Sequence, residues 1–327
     1  MPLLLSEKDV RAVLSMNDLI DAMEAALDQF SGGGVRQPLR HIVDVGDGQA
    51  FYGVMPAYIG KPQALGTKLV TVFHQNAAAG LPSHLATIVL HDPETGALRA
   101  VMDGRYITEA RTAAVSAASA RHLARPDARV LAVLGSGVQA RSHIEALTRV
   151  RAFDEVRVWG RDAGRVRALL DEVKPLTGPT RMVAADSPLA AAEGADVIAL
   201  VTASREPVLS RAAVRDGAHI CAVGACRPDQ REMDTALVRD ARLFVDSRAG
   251  ALAEAGDLVI PIREGAIDAS HIAGELGDVI GGRTPGRQHA KEITIFKSLG
   301  MAVEDVAAAH LAFDRASARG LGRGFVL

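Results

Sequence analysis

A glycine-rich turn near the middle of the chain has the spacing of a phosphate-binding loop. In VLAVLGSGVQARSH, Gly135, Gly137 and Ala140 match G-x-G-x-x-A directly after an apolar strand and before a helix. Gly135 permits the tight turn, Gly137 lets the backbone approach a pyrophosphate, and Ala140 lets the helix pack closely on the strand. An ordinary strand-to-helix turn would also fit the glycines alone. The alternating strands and helices around them favour a dinucleotide site.

The end of the next strand bears on the choice of nicotinamide cofactor. A carboxylate that binds the adenine ribose of NAD is expected there, but the sequence has Trp159, Gly160 and Arg161. A guanidinium neutralises a 2′-phosphate with bidentate geometry. We therefore expect NADPH, with NADH as the alternative. In that alternative Arg161 is a solvated loop residue and Asp162 binds the ribose.

Three cations in the N-terminal part of the chain, Arg40, Lys68 and Arg111, lie within or next to apolar segments. An unpaired charge is costly in such surroundings, and the carboxylate of a substrate would compensate it. For any one of these residues alone, a surface charge or a structural ion pair is the ordinary interpretation. Lys68 is the strongest candidate because apolar residues flank it in a strand and a desolvated lysine changes its pKa readily. It is the candidate proton donor.

Other kinds of chemistry find no support in the residue spacing. The histidines at 41, 74, 84 and 91 show no H-x-x-x-H or Cys/His spacing, so we expect no metal site. The chain also has no G-x-S-x-G signature of a serine hydrolase. Its two cysteines, Cys221 and Cys226, are too close in sequence to cross-link distant parts of a fold.

Composition limits the class of protein and partner. A chain of 327 residues favours two domains, and 48% hydrophobic with 23% charged residues is typical of a globular protein. A net charge of −2 provides no basic field for nucleic acid or an anionic membrane, so we expect a small-molecule substrate. The first residues, MPLLLSEKDV, lack the basic region of a signal peptide, and we expect cytoplasmic residence.

The elements that must position these residues change in character along the chain. A capped amphipathic helix begins after Ser15, and the extended runs that follow, with a hairpin turn at DPETG, predict an antiparallel part. An alanine-rich helix is predicted from Ile107 to Ala124, and the domain boundary is placed near its end. Beyond Arg125, strands and helices alternate, which predicts an α/β fold with a Rossmann-type doubly wound parallel sheet. The last segment is again helical.

Motifs along nearly the whole chain resemble the ornithine cyclodeaminase and mu-crystallin family, most closely its mu-crystallin, or ketimine reductase, branch. The motifs that carry the resemblance are GVMPAY, TKLVT, PSH, AVMDG, RTAAVSA, GSGVQA, GADVI, VGACRPDQREMD, GELGDVI and FKSLGMAVED.

The resemblance implies a homodimer with an α+β domain for substrate binding and dimerisation over residues 1–118, completed by a returning C-terminal helix in 300–327. The dinucleotide-binding domain would span 119–299. Arg40, Lys68 and Arg111 would bind the carboxylate of a small imino or keto acid, and Lys68 would act as the acid. The residues expected to line NADPH are Ser83, Arg111, Thr112, Gly135, Ser136, Gly137, Val138, Gln139, Ala140, Gly160, Arg161, Asp162, Val201, Thr202 and Ala203.

Two departures from the cyclodeaminase pattern favour a reductase. Cyclodeaminases of the family carry a glutamate two residues before the Met-Pro and an aspartate after the later Val-Gly, where this chain has Gly53 and Cys226. The expected reaction is the reduction of pyrroline-2-carboxylate or piperideine-2-carboxylate to proline or pipecolate. Reductive amination of a keto acid, as in the alanine dehydrogenases of the family, a cyclodeaminase lyase reaction and a non-enzymatic crystallin-like binding role are the alternatives.

Overall fold

The chain forms two compact units in a computed structural model that describes residues 1–46 and 50–326. Unit 1 comprises Met1–Arg111 and Gly300–Leu327, and unit 2 comprises Thr112–Leu299. The division falls inside one helix, α3 (Arg105–Leu123). The boundary predicted from the sequence, between residues 118 and 119, lies in the same helix.

Unit 1 is an α+β unit built on one sheet. Its strands are β1 (Leu3–Leu5), β2 (Val35–Arg36), β3 (His41–Val45), β4 (Ala50–Gly60), β5 (Gln63–Phe73), β6 (His84–His91), β7 (Leu98–Asp103) and β16 (Arg323–Gly324). Besides the start of α3, its helices are α1 (Glu7–Val13), α2 (Met16–Ser31) and α11 (Ala302–Ala318). The strand order is β16-β1-β7-β6-β5-β4-β2, with β3 also paired to β4.

The pairing in this sheet is antiparallel, as the sequence predicts, except that β1 and β7 run parallel. Asp92 closes the β6–β7 turn by accepting hydrogen bonds from the amides of Glu94 and Thr95 at 3.0 and 2.9 Å. Ser15 caps α2 by accepting from the amide of Asp18. Both local predictions are confirmed, because each depends on a polar side chain satisfying nearby backbone amides.

The returning helix α11 packs on the inner face of the sheet, against β4, β5 and β6. Gly66 in β5 permits this approach. A Cβ atom at Gly66 would lie 3.3 Å from Cγ2 of Val306 and 2.9 Å from the carbonyl oxygen of Val89. Even the smallest side chain at this position would therefore crowd both the helix and the neighbouring strand.

Unit 2 has the doubly wound parallel sheet that the sequence predicts. Its strands are β8 (Val130–Leu134), β9 (Glu155–Trp159), β10 (Arg181–Ala184), β11 (Val197–Leu200), β12 (His219–Ala222), β13 (Arg242–Val245), β14 (Ile272–Glu275) and β15 (Thr294–Lys297). Besides the end of α3, its helices are α4 (Val138–Val150), α5 (Ala163–Val173), α6 (Pro188–Ala192), α7 (Thr235–Asp240), α8 (Arg248–Glu254), α9 (Gly256–Arg263) and α10 (Leu276–Ile280). The strand order is β10-β9-β8-β11-β12-β15-β13-β14.

Both faces of this sheet are buried. Leu131 and Val133 of β8 pack into one hydrophobic cluster, whereas Ala132 and Leu134 of the same strand pack into the other. Alternate residues of a strand point to opposite faces, so a strand covered on both sides is apolar throughout. This explains the uninterrupted apolar runs in the sequence. Within residues 1–46 and 50–326, no helix combines the length and the apolarity that a bilayer crossing demands.

Candidate functional site

Lys68 lies in the middle of β5 on the inner face of the unit 1 sheet. Its direct neighbours across the sheet are Met55 in β4 and Ile88 in β6, both buried. Only 2% of Lys68 is exposed. The alternation of β5 places it on the same face as Gly66 and Val70. The strand pattern therefore inserts an ammonium group into an apolar interior, where it needs a partner.

Two acidic residues at the start of α11 provide the partners of the buried cations. The Nζ atom of Lys68 lies 2.5 Å from Oδ2 of Asp305. Arg111 donates to Oδ1 of Asp305 at 2.9 Å and to Oε2 of Glu304 at 2.6 Å. Both acids are fully buried. We call these four side chains the cation–acid cluster; it holds two positive and two negative charges.

The first turn of α11 is a favourable place for two acids. Glu304 and Asp305 lie in the first turn of α11, where the helix dipole stabilises negative charge. The preceding Gly300 has a φ of +81°, and a Cβ atom there would lie 2.4 Å from Nη1 of Arg111. A residue other than glycine would thus be strained and would displace the guanidinium. The position of Arg111 in the cation–acid cluster therefore depends on a glycine in the turn before α11.

Burial changes the proton affinity of two bases in this region. It lowers the pKa of Lys68 to about 8; Arg111 contributes to the fall, whereas Asp305 opposes it. Burial also lowers the pKa of His84 in β6 to about 4, and the charges of Lys68 and Arg111 add to this effect. At neutral pH Lys68 is therefore an ammonium group that can release its proton more readily than a solvated lysine, and His84 is neutral.

The other predicted residues of unit 1 lie in loops. Arg40 is half-buried in the segment that leads into β3, and Ser83 is exposed in the loop before β6. Thr112, the first residue of unit 2, is buried in α3 directly after Arg111. The structure brings Lys68 and Arg111 together through Asp305, which contacts both. The roles predicted for Arg40, Ser83 and Thr112 stay predictions.

In unit 2 the glycine turn joins β8 to α4 as the sequence predicts. Gly135 has a φ of +132°, and a Cβ atom there would lie 2.7 Å from the carbonyl oxygen of Val201. A Cβ atom on Gly137, the N-cap of α4, would meet nothing within 4 Å. Ala140 is fully buried in the core. The first amides of α4 thus border open space at a helix N-terminus, which fits the pyrophosphate of a dinucleotide.

The loop after β9 lies beside this turn. A Cβ atom on Gly160 would lie 2.6 Å from Oγ of Ser136, so a side chain there would fill the turn. Arg161 is exposed, and within the described part of the chain its guanidinium has no hydrogen bond or ion pair. Asp162 caps α5 by accepting from the amides of Gly164 and Arg165 at 2.8 and 3.1 Å. Its carboxylate is thus occupied locally, while Arg161 is available to a ligand.

The loop after β11 is tied to a residue that the sequence analysis did not identify. The amide and the hydroxyl of Thr202 both donate to Oε1 of the buried Glu232 at 2.7 Å. The same carboxylate accepts from the amides of Gly224 and Ala225. Gly135 and Ser136 follow β8, Gly160 follows β9, and Val201 follows β11, so all four lie along the edge of the sheet where its parallel strands end. Ligands bind at this edge in this fold. Glu232 gave no signal in the sequence apart from lying in the VGACRPDQREMD motif.

The sequence matches one known protein family over nearly its whole length. A family model described as "Ornithine cyclodeaminase/mu-crystallin family" matches residues 1–320. The chain belongs to this family.

The relatives include two reductases and a dehydrogenase of high similarity. The ketimine reductase mu-crystallin of Mus musculus is 46% identical over 317 residues, 96% of this chain and 97% of the mouse protein. The structure of Thermococcus litoralis Δ1-pyrroline-2-carboxylate reductase with NADH and L-proline matches with a TM-score of 0.96 and 38% identity, covering 99% of this chain and all of that one. An archaeal alanine dehydrogenase dimer with bound NAD matches with a TM-score of 0.94 and 30% identity, covering 100% and 99%.

Within the family, the position of Gly53 bears on the cyclodeaminase alternative. Gly53 is buried in β4, and a Cβ atom there would lie 2.9 Å from Cγ1 of Val70 and 3.3 Å from Cδ1 of Ile42. The strand has no room for the glutamate expected in cyclodeaminases unless Val70 moves. The other departure, Cys226, donates its thiol to the carbonyl oxygen of Val223 at 3.2 Å.

Proposed function

We propose that this chain reduces the carbon–nitrogen double bond of a small cyclic imino acid, using a reduced nicotinamide dinucleotide. The observation that carries the proposal is a fully buried lysine held by an aspartate and accompanied by an arginine, in a family member whose relatives are named ketimine reductase and pyrroline-2-carboxylate reductase. Pyrroline-2-carboxylate and piperideine-2-carboxylate are the proposed substrates, and proline and pipecolate the products.

In the proposed reaction, unit 1 binds the imino acid substrate and supplies the proton. Arg111, with Arg40 as a second cation, binds the substrate carboxylate. Lys68 gives one proton from Nζ to the ring nitrogen and is left as a neutral amine. The charge of Asp305 helps to keep Lys68 protonated before the step, against the effect of burial. The lysine then regains a proton from solvent, so the unit returns to its starting charge.

Unit 2 would hold the dinucleotide, whose chemical contribution is a hydride for the imine carbon. The amides that follow Gly137 would bind the pyrophosphate, and the absence of a side chain there leaves the space for it. Arg161 favours NADPH as the preferred cofactor because its exposed guanidinium is suited to a 2′-phosphate. The structures with NADH and NAD among the relatives make NADH the second candidate.

Two other activities of the family differ in what they would require. A cyclodeaminase would need an acid at Gly53, where the space is taken by Val70. Reductive amination of a keto acid uses the same kinds of groups as imine reduction, and the archaeal alanine dehydrogenase of similar structure supports it as the second candidate function. In imine reduction the substrate already contains the carbon–nitrogen double bond, whereas in reductive amination that bond first forms from the keto acid and ammonia.

We also propose that the chain acts as a homodimer through unit 1. Strand β3 pairs with β4, and all five of its residues are exposed, among them Ile42 at 48% and Val43 at 55%. Exposed apolar residues on a strand at the margin of a sheet favour association with another chain. The alanine dehydrogenase of similar structure is described as a dimer.

The test is oxidation of NADPH and of NADH by the purified protein with pyrroline-2-carboxylate, with piperideine-2-carboxylate, or with pyruvate and ammonia, in parallel with incubation of ornithine with NAD+ or NADP+. The proposal predicts rapid oxidation with one or both cyclic imines. Preferential turnover of pyruvate with ammonia would establish the second candidate function. Conversion of ornithine to proline without net cofactor oxidation would overturn the proposal in favour of a lyase.

A further inference from the structure

Unit 2 contains a second group of buried charges, apart from the cation–acid cluster of unit 1. Glu232, Asp257 and Lys297 are all fully buried. The Nζ atom of Lys297, the last residue of β15, lies 3.0 Å from Oδ2 of Asp257. Removing three charges from water is unfavourable unless their contacts compensate it. We call these residues the carboxylate–lysine cluster, and its contacts indicate what it stabilises.

The carboxylate of Glu232 holds the backbone of two loops. Its Oε1 accepts from the amide and the hydroxyl of Thr202, both at 2.7 Å. Its Oε2 accepts from the amides of Gly224 at 2.7 Å and Ala225 at 3.2 Å. A carboxylate accepts on both oxygens, whereas a protonated acid must use one of them as a donor. All four bonds together therefore require the ionised form.

Asp257 fixes Glu232 in turn. Its Oδ1 accepts from the amides of Glu232 and Met233 at 2.8 and 3.1 Å, while Oδ2 binds Lys297. The contacts thus run from Lys297 through Asp257 and the backbone of Glu232 to the two loops. Each partner is satisfied by backbone amides or by an opposite charge, which is the condition for a buried ionic group to specify one geometry.

The two loops lie where the dinucleotide is proposed to bind. Thr202 follows β11, and Gly224 follows the adjacent parallel strand β12, so both lie at the carboxyl edge of the sheet. A Cβ atom on Gly224 would lie 1.9 Å from the carbonyl oxygen of Thr202, so the loops are in backbone contact. The carbonyl oxygen of Val201 in turn abuts Gly135 of the glycine turn. A change at Glu232 would move segments that border this turn.

We infer that Glu232 is a positioning residue that, as a carboxylate, fixes the loops after β11 and β12 for the dinucleotide, so that cofactor affinity depends on its protonation. The inference rests on the proposed function only in assuming that unit 2 binds a nicotinamide dinucleotide. Protonation of Glu232 would remove an acceptor from backbone amides and loosen the loop at 201–203. Affinity for the cofactor is then highest when the acid is ionised.

The charges around Glu232 place its titration in an accessible range. Burial raises its pKa to about 7, and Asp257 adds to the rise, whereas Lys297 and the hydrogen bonds from Thr202 oppose it. Burial disfavours the charge of Lys297, but Asp257, Cys226 and Glu232 outweigh it and raise the pKa of that lysine. Lys297 thus stays charged while Glu232 titrates. Affinity should rise as the pH increases through about 7.

The experiment is titration of the full-length protein with NADH, without substrate, followed by nicotinamide fluorescence from about pH 6 to about pH 8. NADH is used because it lacks the 2′-phosphate, whose own pKa is about 6. For the parent protein we expect the Kd to decrease as the pH rises. In Glu232→Gln the NH2 group cannot accept a hydrogen bond, so one pair of donors that face the carboxylate loses its acceptor. We expect the Kd of this variant to be on the order of tenfold higher and to be independent of pH.

Asp246→Asn is the matched control. Asp246 is also a buried acid at the carboxyl end of a strand in this sheet, and it accepts from the amides of Ser247 and Leu299 rather than from the loops after β11 and β12. Its NADH affinity should keep the pH dependence of the parent. Glu232→Asp, which retains the carboxylate, should recover pH dependence even where the affinity is reduced.

The outcomes separate this inference from the proposed function. A parent protein that binds neither NADH nor NADPH overturns the proposed function. A parent that binds NADH with the same Kd at both ends of the pH range overturns the inference alone, and this result needs no variant. Glu232→Gln with the parent's Kd and pH profile would overturn it as well.

Discussion

The ion pair between Lys68 and Asp305 joins the middle of a strand to the first turn of a helix that begins more than two hundred residues later. Nζ of Lys68 lies 2.5 Å from Oδ2 of Asp305, with 2% and 0% of the side chains exposed. Because both are buried, the lysine charge depends on this one acid more than it would at a surface. In the proposed reaction Asp305 therefore positions Lys68 and maintains its proton.

Replacement of Lys68 tests its role as the acid. Lys68→Met removes the proton donor and should lower kcat for the cyclic imine by about a hundredfold or more, since general acids contribute effects of that size. The Kd for the dinucleotide should stay near that of the parent, because Lys68 is not among the residues expected to line it. Lys61→Ala, at an exposed lysine in the turn after β4, is the control. A Lys68→Met protein with the parent's kcat would contradict the role.

Replacement of Asp305 should change the pH profile. Lys68 is active while protonated, so kcat/KM should fall as the pH rises through its pKa of about 8. Asp305→Asn removes a charge that raises this pKa while burial and Arg111 still lower it. The alkaline limb of the profile should therefore move to lower pH. Asp305→Glu retains the charge and should leave the limb near that of the parent.

Glu304→Gln separates this effect from general loss of charge in the cluster. Glu304 binds Arg111 at 2.6 Å, and its charge ranks behind Asp305 among the influences on Lys68. We expect the alkaline limb to move less in this variant than in Asp305→Asn. Equal displacement in both variants, or none in Asp305→Asn, would show that Asp305 has no special relation to Lys68.

The sequence predicts those features best whose residues lie close together along the chain. The glycine turn and the cap at Ser15 involve residues within a few positions of one another, and both were predicted. The place of β15 in the sheet, between β12 and β13, does not follow the chain order. Sequence periodicity contains no information about such an insertion.

Two of the three cations singled out from the sequence, Lys68 and Arg111, lie in the cation–acid cluster, whereas nothing in the sequence pointed to its two acids. The sequence suggests a substrate carboxylate as the partner of Lys68 and Arg111, and the structure adds Glu304 and Asp305 from the same chain. Arg111 and Asp305 are 194 positions apart, and only the packing of α11 on the sheet brings them together. Acids in the first turn of a helix also have an ordinary local explanation in the helix dipole. Nothing in the pattern therefore marked them as partners.

Arg161 should determine the preference for NADPH. Arg161→Ala removes the proposed partner of the 2′-phosphate and should raise the KM for NADPH on the order of tenfold, with little change for NADH. Arg165→Ala is the control, since Arg165 is exposed nearby on α5 and lies 3.8 Å from Asp162. Steady-state kinetics with both cofactors decides the matter. A parent enzyme that prefers NADH would contradict this assignment.

Crowding at Gly53 should be measurable as stability. Gly53→Ala places a Cβ atom 2.9 Å from Cγ1 of Val70, and overpacking of this kind lowers the free energy of unfolding by about 1–3 kcal/mol. Adding Val70→Ala should relieve the clash. The double variant should therefore lose less free energy of unfolding than the two single variants lose together. Urea denaturation of the four proteins measures this coupling. Purely additive effects would show that the two positions do not compete for space.

Gly137→Ala is the matched glycine substitution. Its Cβ atom would enter open space at an ordinary φ of −95°, so stability should change little. If a pyrophosphate binds in that space, the variant should nevertheless bind NADH more weakly than the parent does.

The central claim is that a hydride passes from the dinucleotide to the imine carbon of a cyclic imino acid. The most direct measurement is the mass and NMR spectrum of proline formed from pyrroline-2-carboxylate with reduced cofactor deuterated at C4 of the nicotinamide. The proposal predicts one deuteron at Cα of proline when the transferred position is labelled. Proline formed without deuterium from either labelled face would contradict it, as would the formation of neither proline nor pipecolate from the two cyclic imines.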